Sequence, residues 1–223
     1  MDGVSRDAIR RLAAELADDA DPAAVAIRRA LGERGWLYSF WPRAWGGAGL
    51  TPGDACRLER ALLDAGVGLP DMEADDRAAA LIAHLGSPGQ VRRWLPELAA
   101  GRERCVLHPS LTGGPAVAAA RSGDGWVLIE APAAGSALPG HDHQLVLLRC
   151  EPSEELAVAI VPALESALGA VFGTQRGEKG VDRIEILGRP EVPERMWSVI
   201  DDGIAAGERY PRARARRLGY WLD

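Results

Sequence analysis

The chain has 223 residues, enough for one large domain or two small ones around a real core, so a fibre, a mini-protein and a long repeat array are excluded. Its 47% apolar and 26% charged residues match the balance of a globular protein. The formal charge of −6 argues against broad binding to nucleic acid or an anionic membrane, both of which need clustered positive charge, and makes a small molecule or a protein the expected partner.

The first hundred residues read as helical. Apolar residues recur at three- and four-residue spacing through Ile9, Leu12, Ala13 and Leu16, then through Ala24, Ile27 and Leu31. Asp21-Pro22 and Thr51-Pro52 each offer a capping side chain followed by proline at the first helical position, and Asp54 makes the second start acidic. The helix opened at Thr51 is expected to run to about Asp64 and end in Ala65-Gly66. Another helix is predicted over residues 75–84, and a third follows Ser87-Pro88 through Val91, Trp94 and Leu98.

From about residue 104 the period changes to two. Short strands are expected at 116–121 and 126–130, joined by the turn Ser122-Gly123-Asp124-Gly125, and again at 144–150, 156–162, 168–172 and 181–187. Even spacing of short strands suggests a small antiparallel barrel or sandwich. A closing helix is predicted from Pro193-Glu194 through Trp197, Ile200 and Ile204, running into a basic tail at 209–217. The fold class is therefore α+β, with an all-α domain over 1–103, a β domain over 104–193, and a C-terminal helix and tail over 194–223.

Cys56, Cys105 and Cys150 form neither a disulfide framework nor a zinc ribbon, which suits a reducing cytoplasm. The first twenty residues lack a signal-peptide core, and no apolar run is long enough to span a bilayer, so the chain is expected to be cytoplasmic. His141-Asp142-His143 offers two imidazoles without an identifiable third ligand, so no metal is expected. Cys105 and His108 are close in sequence, yet on a strand they would face opposite ways. Trp36, Trp41, Trp45 and Trp94 read as packing residues, and Arg212, Arg214, Arg216 and Arg217 as a solvated terminus.

Several longer strings converge. Leu31-Gly32-Glu33-Arg34-Gly35-Trp36, Trp41-Pro42 and Trp45-Gly46-Gly47-Ala48-Gly49-Leu50-Thr51-Pro52 resemble a passage between N-domain helices of the acyl-CoA dehydrogenases. The segments 85–101 and 123–128 and the exit Glu191-Val192-Pro193 are similar to later passages of that family, so that the resemblance covers roughly residues 5 to 200. It implies FAD as cofactor, an acyl thioester of CoA or of a carrier protein as substrate, and oxidation of the CH–CH group. In that family the α-proton is removed by a glutamate of a C-terminal helical bundle, which the resemblance finds missing here, so no catalytic residue is carried over. Self-association, or pairing with a longer homologue, follows as an expectation, because a missing bundle exposes apolar surface.

The family's flavin motifs are altered. Laid on without a gap, the motif LTEPxAGSD puts Ser110 at its threonine but Leu111, Thr112, Ala116 and Val117 at its other marked positions. In the same manner Ala134 stands at the flavin-covering tryptophan and Ser136 at the following threonine, with Pro132 and Ala137 at the flanking lysine and asparagine. The candidate cofactor-binding residues are thus Ser110, Ala134 and Ser136. The lost positions raise the alternative of a flavin-free protein that binds acyl thioesters or acts on them without redox chemistry, or a non-catalytic partner of a full-length homologue.

Overall fold

The structure is a computed structural model and describes residues 5–17, 24–111, 114–122, 125–129, 142–162 and 184–188. Five helices come first: α1 (Arg6–Ala17), α2 (Ala24–Glu33), α3 (Pro52–Asp64), α4 (Glu73–Leu85) and α5 (Pro88–Ala99). Six strands follow: β1 (Cys105–Leu107), β2 (Val117–Ser122), β3 (Gly125–Leu128), β4 (His143–Glu151), β5 (Glu155–Pro162) and β6 (Glu185–Gly188). The α+β order read from the sequence is the one observed. The expected strand at 168–172, the closing helix and the basic tail lie outside the described residues.

Local chemistry accounts for the helix starts. Thr51 Oγ1 accepts the Asp54 backbone N–H at 3.2 Å, and Pro52 occupies the first turn, where no amide hydrogen is needed. The Asp54 carboxylate accepts the Thr51 hydroxyl and lies beside Arg57, and these contacts, Thr51 first, hold its pKa below the usual carboxylate range. At α5, Ser87 and Gln90 exchange side-chain and backbone bonds in a full capping box. Thr51→Ala is expected to lower stability by about 1 kcal/mol, read from the urea midpoint, because one amide of the first turn loses its partner.

The helices bury their apolar faces against each other and against one face of the sheet. Leu12, Leu31, Trp41, Leu62, Leu81, Ile82, Leu95 and Leu98 form one cluster with Cys105, Leu145, Val158, Ile160 and Leu187. The four tryptophans read as packing residues sit in this layer; Trp41 stacks on Tyr38 at 3.9 Å between ring centroids and meets Trp45 edge-on at 6.0 Å. Alternation along the strands sends Val146, Leu148, Cys150, Ala157, Ala159 and Val161 to the other face, where they form a second cluster with Val117, Ala119 and Leu128.

The sheet is mixed. Its order is β3-β2-β4-β5-β6, with β1 also on β4. The pair β2–β3 is antiparallel, as its hairpin signal predicts, and β4–β5 and β5–β6 are antiparallel as the expected barrel or sandwich implies, whereas β1 and β2 each run parallel to β4. Short local spacing cannot reveal such pairings, because a parallel neighbour is brought in from far along the chain. β1 aligns with residues 143–145 of β4 and β2 with residues 148–151, so the two are halves of one interrupted strand along a single edge.

Candidate functional site

The interruption between β1 and β2 contains Ser110, the one predicted cofactor-binding residue among the described residues. Pro109 turns the chain out of β1 into a short 3-10 turn, Pro109–Leu111. Before the turn, the His108 N–H donates to the Leu145 carbonyl at 2.8 Å, so the ladder with β4 is intact. Beyond it, the Leu147 N–H donates at 2.9 Å to the Ser110 hydroxyl oxygen, which takes the place a backbone carbonyl of an unbroken strand would hold.

The turn also brings His108 onto Ser110. The Ser110 N–H donates to His108 Nδ1 at 3.1 Å, and Ser110 Oγ lies 2.9 Å from the same nitrogen. A nitrogen that accepts a backbone N–H carries no proton, so the neutral ring holds its hydrogen on Nε2 and the serine hydroxyl donates to Nδ1. Both side chains are buried, and burial lowers the His108 pKa below the usual imidazole value. Nε2 is buried without a hydrogen-bond partner among the described residues. Ser110 therefore has one lone pair engaged by the Leu147 N–H and, with Nδ1 unprotonated, its hydroxyl hydrogen engaged by His108. Ala134 and Ser136 lie outside the described residues.

At the other end of β1 the chain is pinned by charge. Asp75 of α4 is fully buried and receives Arg28 of α2 at 3.3 Å, Arg104 at 3.4 Å and the Cys105 N–H at 3.3 Å. Arg28, also buried, donates as well to Met72 Sδ at 2.6 Å. Asp142 and His143 bracket Arg104: both backbone amides donate to its carbonyl, and the Asp142 carboxylate accepts its N–H at 2.8 Å. His143 also lies 3.6 Å from Glu103 and edge-on to Trp94. Burial, then the charges of Asp142 and Glu97, raise the Glu103 pKa.

His141 lies outside the described residues, and among those described no group of three metal-ligating side chains occurs. Burial, and after it the charge of Asp75, push the Cys105 thiol far above its usual range, so it offers no thiolate, while the His108 Nδ1 is taken by Ser110.

A third contact holds β6 to the helical layer. Glu185 receives Arg93 at 2.9 Å and the Trp94 indole N–H at 3.1 Å, and the Gln90 side chain donates to the Ile186 carbonyl at 2.8 Å. Sequence reading singled out Ser110 but missed His108 as its partner and Asp75 as an anchor. The signal for the first was His108-Pro109-Ser110 itself, since the proline folds the serine amide back toward the ring two residues earlier. No local pattern marks Asp75, whose partners are 29 to 47 residues away.

Residues 3–102 match the family described as acyl-CoA dehydrogenase, N-terminal domain. Among solved structures, the chain is similar to the ChsE4-ChsE5 complex from Mycobacterium tuberculosis, at 23% identity and TM-score 0.48 over 70% of this chain and 47% of that one. It is similar to glutaryl-CoA dehydrogenase from Mycobacterium smegmatis at 24% identity and TM-score 0.42, over 70% and 44% of the respective chains. A third likeness is to FkbI, for biosynthesis of the methoxymalonyl extender unit of Fk520, at 23% identity and TM-score 0.45 over 71% and 47%. The chain thus spans about half the length of the structures it resembles. No curated protein sequence matches it significantly. No helix of the described residues is long and apolar enough to cross a membrane.

Proposed function

We propose, because residues 3–102 match the family described as acyl-CoA dehydrogenase, N-terminal domain, that this chain handles an acyl thioester as, or as a subunit of, an oxidoreductase acting on the CH–CH group. The observation that carries this reading is that family match, together with a helical layer packed on one face of the following sheet. The substrate class is an acyl thioester of coenzyme A or of a carrier protein, and the expected assembly is a homo-oligomer or a pairing with a longer homologue.

FAD is the cofactor this reading calls for, and it would supply hydride acceptance. Ser110, as placed, is committed inside the fold, because its oxygen accepts the Leu147 N–H and lies 2.9 Å from His108 Nδ1. Ala134 and Ser136 are the remaining candidates for contact with the flavin. The same observation favours a second reading, a flavin-free protein that binds the acyl thioester or acts on it without redox chemistry.

A visible absorbance spectrum separates the two. The protein is purified without added cofactor, then mixed with FAD and desalted. A flavin band that survives desalting is the expected result for the oxidoreductase, and a colourless protein in both samples rejects redox catalysis by this chain alone.

A further inference from the structure

We propose that His108 and Ser110 form a protonation-sensitive latch that closes the break between β1 and β2 and opens when the imidazole gains a proton. The latch goes beyond the acyl-thioester reading and does not depend on it. Its closed state is held by three bonds: the Ser110 N–H to His108 Nδ1, the Ser110 hydroxyl to the same nitrogen, and the Leu147 N–H to the Ser110 oxygen. The first two require an unprotonated Nδ1, and the third depends on them through the position they give the Ser110 side chain.

A proton arriving at Nδ1 turns that atom into a donor facing the Ser110 backbone N–H, which can only donate, so this bond is lost. The hydroxyl loses its acceptor too; its oxygen can receive the new N–H, but its own hydrogen is then left unmet in a buried site. The imidazolium would in addition carry its charge on a residue that is only 4% exposed. Opening the turn relieves all three costs, hydrates the ring, and strips the Leu147 N–H of its side-chain acceptor.

Burial is the cause that lowers the His108 pKa, and no charged side chain of the described residues adds to it. The titratable groups nearest in the chain and on adjoining elements are Cys105 on β1, Glu103 and Arg104 before it, Asp75 on α4, and Asp142 and His143 where β4 begins. These interact with one another at the far end of β1. The latch therefore responds to His108 itself. With a folded pKa below the unfolded one, the unfolded or opened state binds more protons, so the closed state weakens as pH falls below the usual imidazole value.

Amide exchange by NMR tests this. Between neutral and mildly acidic pH, protection of the Leu147 amide is expected to fall by up to about tenfold per pH unit once the ring titrates, while amides of the β4–β5 ladder hold theirs. His108→Asn, which offers an oxygen in place of Nδ1 and takes up no proton, is expected to abolish that dependence. Leu147 protection that follows the β4–β5 ladder throughout the interval overturns the proposal, as does pH dependence that persists in His108→Asn. Should the variant not fold, the ring nitrogen shifts of the wild-type protein decide: an unprotonated Nδ1 at neutral pH supports the latch, and a protonated one overturns it.

Discussion

Asp75→Ala is expected to destabilise the protein by about 3–5 kcal/mol, because it strands the Arg28 charge in a site with almost no access to water. The ion pair itself need not be strongly stabilising, since bringing two charges out of water consumes most of what their attraction returns. What makes the loss large is asymmetry. Arg28 has its side chain 4% exposed and cannot turn to solvent, whereas Arg104, at 25%, can. The Cys105 N–H loses its acceptor at the same time. Replacing both partners with apolar residues, Arg28→Met with Asp75→Leu, removes the stranded charge and should recover much of the loss. Urea denaturation of the single and double variants checks this, and a single variant within about 1 kcal/mol of wild type would sink the argument.

Gly47→Ala is the other large effect, expected to cost about 3 kcal/mol or more, at the upper end of what overpacking does. A methyl group there would overlap the Trp41 carbonyl oxygen and stand 2.6 Å from both the Tyr38 carbonyl oxygen and Trp41 Cβ. These partners are mostly backbone, fixed by the bonds of the turn: the Gly49 N–H to the Trp41 oxygen, the Gly47 N–H to the Pro42 oxygen and the Leu50 N–H to the Ser39 oxygen. Relief therefore requires moving the turn, and with it the stacked Tyr38 and Trp41. Gly66→Ala is the control. Its Cβ would meet nothing within 4 Å, so only the positive φ of 82° is strained, at about 1 kcal/mol. If both variants shift the urea midpoint equally, the close approach at Gly47 is not what limits that site.

These two sites differ in how far the sequence announced them. Gly47 lies in a string whose glycines and tryptophans drew attention at once, and the helix that follows was visible in Thr51-Pro52, because capping is written in adjacent residues. The same holds for Ser87-Pro88 and for the β2–β3 hairpin. Asp75 read as one more residue of a helix start; its burial depends on Arg28 and Arg104, which arrive from other elements. The parallel pairing of β1 and β2 with β4 was hidden for the same reason, and an antiparallel sheet was the natural expectation from the turns alone. At the candidate site, Ser110 was found by likeness to a motif, while its bonds to His108 and Leu147 follow from a turn and a strand that likeness does not describe.

The interrupted edge along β4 has a consequence for how this part of the chain tolerates change in length. β4 cannot gain or lose a residue cheaply: a shift of one would exchange Leu145 and Leu147 with Val146 and Leu148, turning each set toward the wrong apolar layer and undoing three pairings together. The interval between β1 and β2 is under no such constraint, because each half is registered on β4 independently of the other. Insertions and deletions can accumulate there while the sheet on either side stays in step, as long as a hydroxyl still reaches the Leu147 amide.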